Sequence, residues 1–140
     1  MWKHTPTLDL LNGMSQNTMV THCGIEFTAF GDDFLEARMP CDARTVQPMR
    51  ILHGGANVVL AETLGSVAST LCVSDHTKNG IVGVEINANH LKAVPEGAFV
   101  TGRVTPIRIG RTMHVWNIEI KNERGQLCCI SRLTVAVIAR

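Results

Sequence analysis

One carboxylate stands where carboxylates are expensive. Glu62 lies mid-way through a segment in which Val58, Val59, Leu60, Ala61, Leu64, Val67, Ala68 and Leu71 leave almost no polar face. A buried, unpaired carboxylate is costly, so its presence needs a partner or a task. Ser66 follows four residues later, on the same helical face one turn on. Taken singly, Glu62 is half of an ion pair or faces solvent, and Ser66 is a small packing residue. Just upstream runs Gln47-Pro48-Met49-Arg50-Ile51-Leu52-His53-Gly54-Gly55. Its glycines let backbone approach a ligand closely. They precede a helix start, where free N–H groups and the positive end of the dipole favour an anion or a developing oxyanion. His53 reads equally as a cap or core histidine, and Gln47 as an ordinary loop residue. Together these residues offer oxyanion donors and a carboxylate. There is no GxSxG elbow and no Ser-His-Asp order. A carboxylate can serve as general base on water or attack an activated acyl group itself. With no metal-ligand spacing in the chain, the substrate must arrive already activated, as a thioester does.

The elements that must position these groups are legible. The segment from His53 to about Cys72 is apolar nearly all round, the pattern of a buried helix, and would run roughly 30 Å at ~1.5 Å per residue. A short helix follows Thr7, with Leu8, Leu10 and Leu11 on its apolar side and Gly13 weakening its end. Ile25, Phe27 and Ala29 share one face, as do Leu35, Ala37 and Met39; Gly31-Asp32-Asp33 makes them a hairpin. Val82, Val84, Ile86 and Ala88 alternate with polar or small residues. So do Ala98, Val100, Gly102 and Val104, then Trp116, Ile118 and Ile120. Leu127, Cys129, Leu133, Val135 and Val137 share one face of the last strand. Short turns at Ile109-Gly110-Arg111 and Asn122–Gly125 predict an antiparallel meander. One buried helix and a strongly curved antiparallel sheet make an α+β fold. The uncovered face or edge of that sheet calls for an oligomer.

Composition narrows the function. The chain has 140 residues, a net charge of +1, 45% hydrophobic and 18% charged residues. That suits a single domain over residues 1–140 with a real core and excludes disorder. Near-zero charge gives no electrostatic case for nucleic acid. No apolar run reaches the ~18 residues of a membrane span, and no signal peptide is read at the start. The five cysteines, Cys23, Cys41, Cys72, Cys128 and Cys129, are odd in number and lack CxxC spacing. They read as buried reduced thiols of a cytoplasmic protein, with adjacent Cys128 and Cys129 on opposite faces of an extended segment.

The stretch from Gln47 to Ser69, "QPMRILHGGANVVLAETLGSVAS", resembles the central-helix motif of the hotdog-fold acyl-CoA thioesterases. The similarity is to the 4-hydroxybenzoyl-CoA thioesterase type, which carries its carboxylate on the helix. It continues through "VGVEINANHLKAVPEG", "PIRIGR" and "NERGQLCCISRLTVAVI", and so spans almost the whole chain. It implies a curved antiparallel sheet wrapped around one long central helix from about Gly54 to Cys72. The implied reaction is hydrolysis of acyl-CoA, an aryl-CoA such as 1,4-dihydroxy-2-naphthoyl-CoA or hydroxybenzoyl-CoA, with menaquinone synthesis as one setting. The alternative is release of misloaded groups from a carrier protein. By the resemblance, Glu62 is the catalytic carboxylate, the Gly54 N–H polarises the thioester carbonyl, Gln47 and His53 position the thioester, and Ser66 holds the attacking water. Gly83, the stretch His90, Leu91, Lys92 and Ala93, and the stretch Arg108, Ile109, Gly110, Arg111, Thr112 and Met113 match coenzyme A-binding segments. Lys92, Arg108 and Arg111 have the chemistry to meet phosphates. No cofactor is implied beyond the coenzyme A of the substrate. Partners implied are copies of the chain, a dimer of dimers with sites at the subunit interface. Where relatives read Gln-Pro-Phe-Gly, this chain has Gln47-Pro48-Met49-Arg50, which should alter the acyl pocket or its entrance. A hydratase on the same fold would want a His–Asp pair where Glu62 stands. An acyl-CoA sensor would need an attached DNA-binding segment.

Overall fold

The computed structural model describes residues 1–140. Six antiparallel strands form one sheet in the order β1-β2-β4-β5-β6-β3, and the long helix α3 packs against it. The elements in chain order are α1 (Leu8–Gly13), α2 (Met19–His22), β1 (Glu26–Phe30), β2 (Leu35–Pro40), α3 (Gly54–Cys72), β3 (Asn79–His90), β4 (Phe99–Ile109), β5 (Met113–Asn122) and β6 (Leu127–Ala139). The predicted hairpin is β1–β2 and the predicted meander is β4–β5–β6. α1 starts where Thr7 caps it, the Thr7 hydroxyl accepting the Leu10 N–H at 3.2 Å. Only Leu11 of its leucines is buried; Leu8 and Leu10 stay exposed.

The core lies between α3 and the sheet. Leu60, Ala61, Leu64 and Ala68 face Val100 and Val104 of β4, Trp116, Ile118 and Ile120 of β5, and Leu133 and Val135 of β6, all fully buried. Trp116 Nε1 donates to Ser69 Oγ at 2.7 Å, which accounts for a hydroxyl inside this interface.

Four register slips interrupt the sheet, and three of them shift the faces that plain alternation predicts. In β1 the slip between Phe27 and Ala29 pairs Ala29 with Glu36, off the face that Phe27 shares with Ala37, so the predicted common face of Ile25, Phe27 and Ala29 ends at Phe27. In β3 the register slips between Gly83 and Glu85. Ile86 and Ala88 pack on the core as expected, but Val82 and Val84 are 45% and 62% exposed. The inward positions are Ile81 before the slip and Ile86 and Ala88 after it. In β6 the register slips at Cys128, since Ile120 pairs with Cys129 and Lys121 with Leu127. Cys128 is the extra residue, and both it and Cys129 are fully buried rather than divided between faces. β3 is an outer strand of the sheet, twelve residues long, with one edge unpaired.

Candidate functional site

At the start of α3 the chain arranges donors by local hydrogen bonding. His53 is the N-cap, and its Nδ1 accepts the Gly55 N–H at 2.8 Å. The His53 carbonyl accepts from Ala56 at 2.9 Å and Asn57 at 3.4 Å. Of the unpaired N–H groups that open a helix, that of Gly54 is left with no acceptor in the protein. Gln47 heads the tight turn before it. Its N–H bonds Ile51 O at 2.9 Å, its carbonyl accepts from Arg50 at 2.8 Å, and its Oε1 accepts the Met49 N–H. Arg50 sits at φ +60°, the left-handed region, which explains why glycine suits this position. The Arg50 guanidinium is tied to Glu96, with Nε 2.9 Å from Oε2. Met49 is 75% exposed at the tip of the turn.

A cavity of about 350 Å³ joins Gln47 and Gly54 with the stretch His90, Leu91, Lys92 and Ala93. Two predicted groups of site residues, one each from the turn-helix junction and the end of β3, thus meet. The ring of His90 lies on Gly54: a Cβ there would fall 2.8 Å from His90 Nε2.

Glu62 lies elsewhere. Ser66 Oγ donates to its Oε1 at 3.2 Å. The carboxylate rests against Gly83 of β3, where an added Cβ would come within 2.5 Å of Oε1. None of the ion pairs of the structure includes Glu62. Beside it opens a cavity of about 260 Å³ lined by Met19 and Val20 of α2 and Val58, Val59 and Thr63 of α3. The Thr63 hydroxyl is committed to Val59 O at 2.7 Å, so that wall is apolar apart from the acid.

The third group, Arg108 to Met113, forms the β4–β5 turn at the opposite end of α3. Ile109, Gly110 and Arg111 line a cavity of about 300 Å³ with Lys3, Cys72 and His114. Gly110 N–H bonds Met113 O at 2.8 Å, and Thr112 O accepts from Val137 at 3.0 Å, which fixes the turn. Burial pushes buried His114 below the ordinary histidine range. Lys92, Arg108 and Arg111 take part in no ion pair. Within one chain, therefore, the candidate residues form three separate clusters.

Sequence reasoning missed α2, whose Met19 and Val20 wall the cavity beside Glu62, and it missed Asn57. A polar residue three places after Gly54 in an apolar helix was the available signal for Asn57.

Comparison with known proteins decides the family. The model of the family described as "Thioesterase superfamily" matches residues 49–129. The chain belongs to the thioesterase superfamily. It is 51% identical over 138 residues to the 1,4-dihydroxy-2-naphthoyl-CoA hydrolase of Escherichia coli, covering 99% of each chain. It is 49% identical over 138 residues to the proofreading thioesterase EntH of Cronobacter turicensis, covering 99% of this chain and 98% of that one. The crystal structure of a thioesterase from Haemophilus influenzae superposes with a TM-score of 0.93 at 52% identity, covering 99% of this chain and 94% of that chain. The thioesterase therefore has the hotdog architecture expected from its helix motif, and it hydrolyses thioesters. No helix of this thioesterase is long and apolar enough to cross a membrane.

Proposed function

We propose that the thioesterase hydrolyses acyl-CoA to the carboxylic acid and coenzyme A at a site built from two chains, with Glu62 as the catalytic carboxylate. The observation that carries this is Glu62 itself, free of any ion pair, held by Ser66 and flanked by an apolar cavity. With the Ser66 proton directed at Glu62, the Ser66 lone pairs remain to accept from a water. Glu62 then either takes a proton from that water as it attacks the thioester carbon, or attacks that carbon itself and is freed by water. In both routes the C–S bond breaks, the thiolate leaves and is protonated, and the acid remains. The Gly54 N–H is suited to stabilise the oxyanion, a contribution of roughly 3 kcal/mol for one such donor.

The need for two chains follows from the helix. Glu62 and Gly54 are eight residues apart on α3, about 12 Å at 1.5 Å per residue. A reacting carbonyl must lie within roughly 3 Å of both its attacker and its oxyanion donor. For direct attack by Glu62, a spacing of about 12 Å along the helix favours donors supplied by a second chain. The unpaired edge of β3 carries Gly83 beside Glu62 and ends at His90 beside Gly54. Antiparallel pairing of two such edges would run two α3 helices in opposite directions and bring the start of one toward the middle of the other. The β4–β5 turn of one chain, with Arg108 and Arg111, would approach Lys92 of the other as a phosphate clamp. A dimer of dimers would cover the outer sheet face. The reading needs no cofactor, and the five free buried thiols support a reducing, cytoplasmic setting. The names of the relatives support aryl-CoA, including 1,4-dihydroxy-2-naphthoyl-CoA, as the substrate class.

Mixed oligomers test the reading. Glu62→Gln removes the carboxylate, and Gly54→Ala keeps the N–H but puts a Cβ 2.8 Å from His90 Nε2 at the mouth of the oxyanion site; each chain is expected to lose about 100-fold in kcat. Refolded together at equal amounts, they should recover about a quarter of the wild-type activity, because half the dimers are mixed and each carries one intact site. No recovery places both groups in one chain and rejects the two-chain site. Wild-type turnover by Glu62→Gln rejects the carboxylate mechanism.

A further inference from the structure

Asn57 is a polar side chain of α3 that this reaction leaves unused and whose oxygen the fold leaves unpaired. It is 5% exposed, and its Oδ1 has no hydrogen-bond partner. Buried polar atoms are nearly always paired, and each exception calls for an explanation. Asn57 lies three residues after Gly54, on the same helix face. Its Nδ2 is 3.4 Å from Nδ1 of His90. The other side of that ring lies against Gly54, with Nε2 nearest to where a Cβ would be. Nδ1 of His90 therefore faces the amide, and Nε2 faces the helix start. With the Asn57 amide oriented to donate to Nδ1, the lone pair lies there and the proton of the neutral ring lies on Nε2, an assignment of tautomer that the spectra below decide. That Nε2–H stands beside the free Gly54 N–H, in the cavity that also holds Gln47.

Resting on the thioesterase mechanism above, we propose that His90 Nε2–H is a second hydrogen-bond donor to the thioester carbonyl oxygen, and that Asn57 is the residue that positions it. Gly54 then has two reasons to be glycine, since its N–H must be reachable and any side chain would displace the His90 ring. No bond to His90 forms or breaks. The ring keeps its proton and strengthens its hydrogen bond as charge develops on the oxygen. This differs from a contact to the coenzyme A moiety. Such a contact acts on ground and transition state alike and shows in KM, whereas an oxyanion donor shows in kcat.

The test uses the full-length protein, benzoyl-CoA as the probe and thiol release as the signal. His90→Phe is expected to lower kcat about 100-fold with KM within about threefold of wild type. Asn57→Leu should lower kcat about tenfold, and the double variant should fall no lower than His90→Phe, because the two act in series. Nitrogen-15 spectra of histidine-labelled wild type should show His90 as the Nε2–H tautomer, and those of Asn57→Leu a mixture. The inference is overturned by a rise in KM with kcat intact in His90→Phe, by losses that multiply in the double variant, or by an Nδ1–H tautomer in wild type. Should Asn57→Leu fail to fold, Asn57→Ser and the wild-type spectrum decide. Benzoyl-CoA turnover that survives Glu62→Gln strikes the underlying mechanism instead, and a Glu62-dependent enzyme failing these tests loses only the His90 assignment.

Discussion

Adding one methyl group at Gly83 should disable the enzyme without harming the fold. The Cβ of Gly83→Ala would lie 2.5 Å from Glu62 Oε1. A relaxed C···O contact is roughly 3.3–3.6 Å, so the carboxylate must retreat by about 1 Å. Glu62 ends in a flexible side chain, and Gly83 does not occupy the left-handed region, so the backbone accepts alanine without strain. Relative to glycine, alanine in a strand is expected to add about 0.5–1 kcal/mol of stability. A 1 Å misplacement of a reacting group can cost about 100-fold in rate, or about 2.7 kcal/mol of barrier. Activity and stability should therefore move in opposite directions. Thiol-release kinetics on benzoyl-CoA should show kcat down about 100-fold with little change in KM, and thermal unfolding should show Tm unchanged or raised. In a Glu62→Gln background the methyl should lower kcat no further, since the amide it displaces no longer carries the reaction. A Gly83→Ala enzyme with wild-type kcat would refute the placement of Glu62 against β3. A rise in KM alone would assign Gly83 to coenzyme A contact.

Three other perturbations have signs fixed by the structure. Arg50→Gly should change stability by less than about 1 kcal/mol, because relief of the left-handed backbone offsets the lost exposed Glu96 pair and the added chain entropy; Arg50→Val, branched at the same φ of +60°, should destabilise by about 1–2 kcal/mol, both read from urea midpoints. On the two-chain reading, Val84→Asp, on the exposed β3 edge, should leave only monomers in sedimentation and abolish turnover together; active monomers would contradict the two-chain site. Burial holds the Cys72 and Cys129 thiols up at about 11, so between about pH 9 and 11 the unfolded chain sheds protons that the native one keeps. Stability should therefore fall as pH rises through that window, by up to about 3 kcal/mol per thiol, and Cys129→Ala should flatten the fall.

Long-period patterns were the most legible part of the sequence. The apolar run from His53 to about Cys72 located α3, which spans Gly54–Cys72 and so includes the two glycines read as preceding it, because a helix buried on most sides leaves no doubt about its period. The meander was equally clear from alternation and from Asn122, whose Oδ1 accepts the Arg124 and Gln126 N–H groups in the turn before β6. What alternation could not show is where it breaks. The bulges at Val84 and Cys128 each add one residue and change which side chains face inward. One of them exposes two valines, and the other buries two adjacent thiols. Helix α2 escaped notice because four residues carry no period; only Thr18, whose hydroxyl accepts the Val20 N–H at 3.2 Å, marks its start. For the candidate site the sequence offers residue types but not their arrangement, since the division into clusters depends on how far the length of α3 separates Gly54, Glu62 and the β4–β5 turn.

That separation also bears on why the carboxylate is tolerated. In one chain Glu62 is only half-buried, so it keeps part of its hydration and pays little of the desolvation that a fully buried acid would. On the two-chain reading, an apolar acyl group replaces that water beside the carboxylate when substrate binds. The surfaces left incomplete by the single chain are the outward side of α3 around Glu62 and the free edge of β3, and they adjoin at Gly83. On the two-chain reading, the contact that covers the edge also dries the acid and delivers the donor it lacks. Folding then never has to bear the full cost of the buried charge, which falls on association and substrate binding, where it can be repaid in the transition state. A chain that placed Glu62 and its oxyanion donor together would have to bury both during folding, with no substrate to offset them.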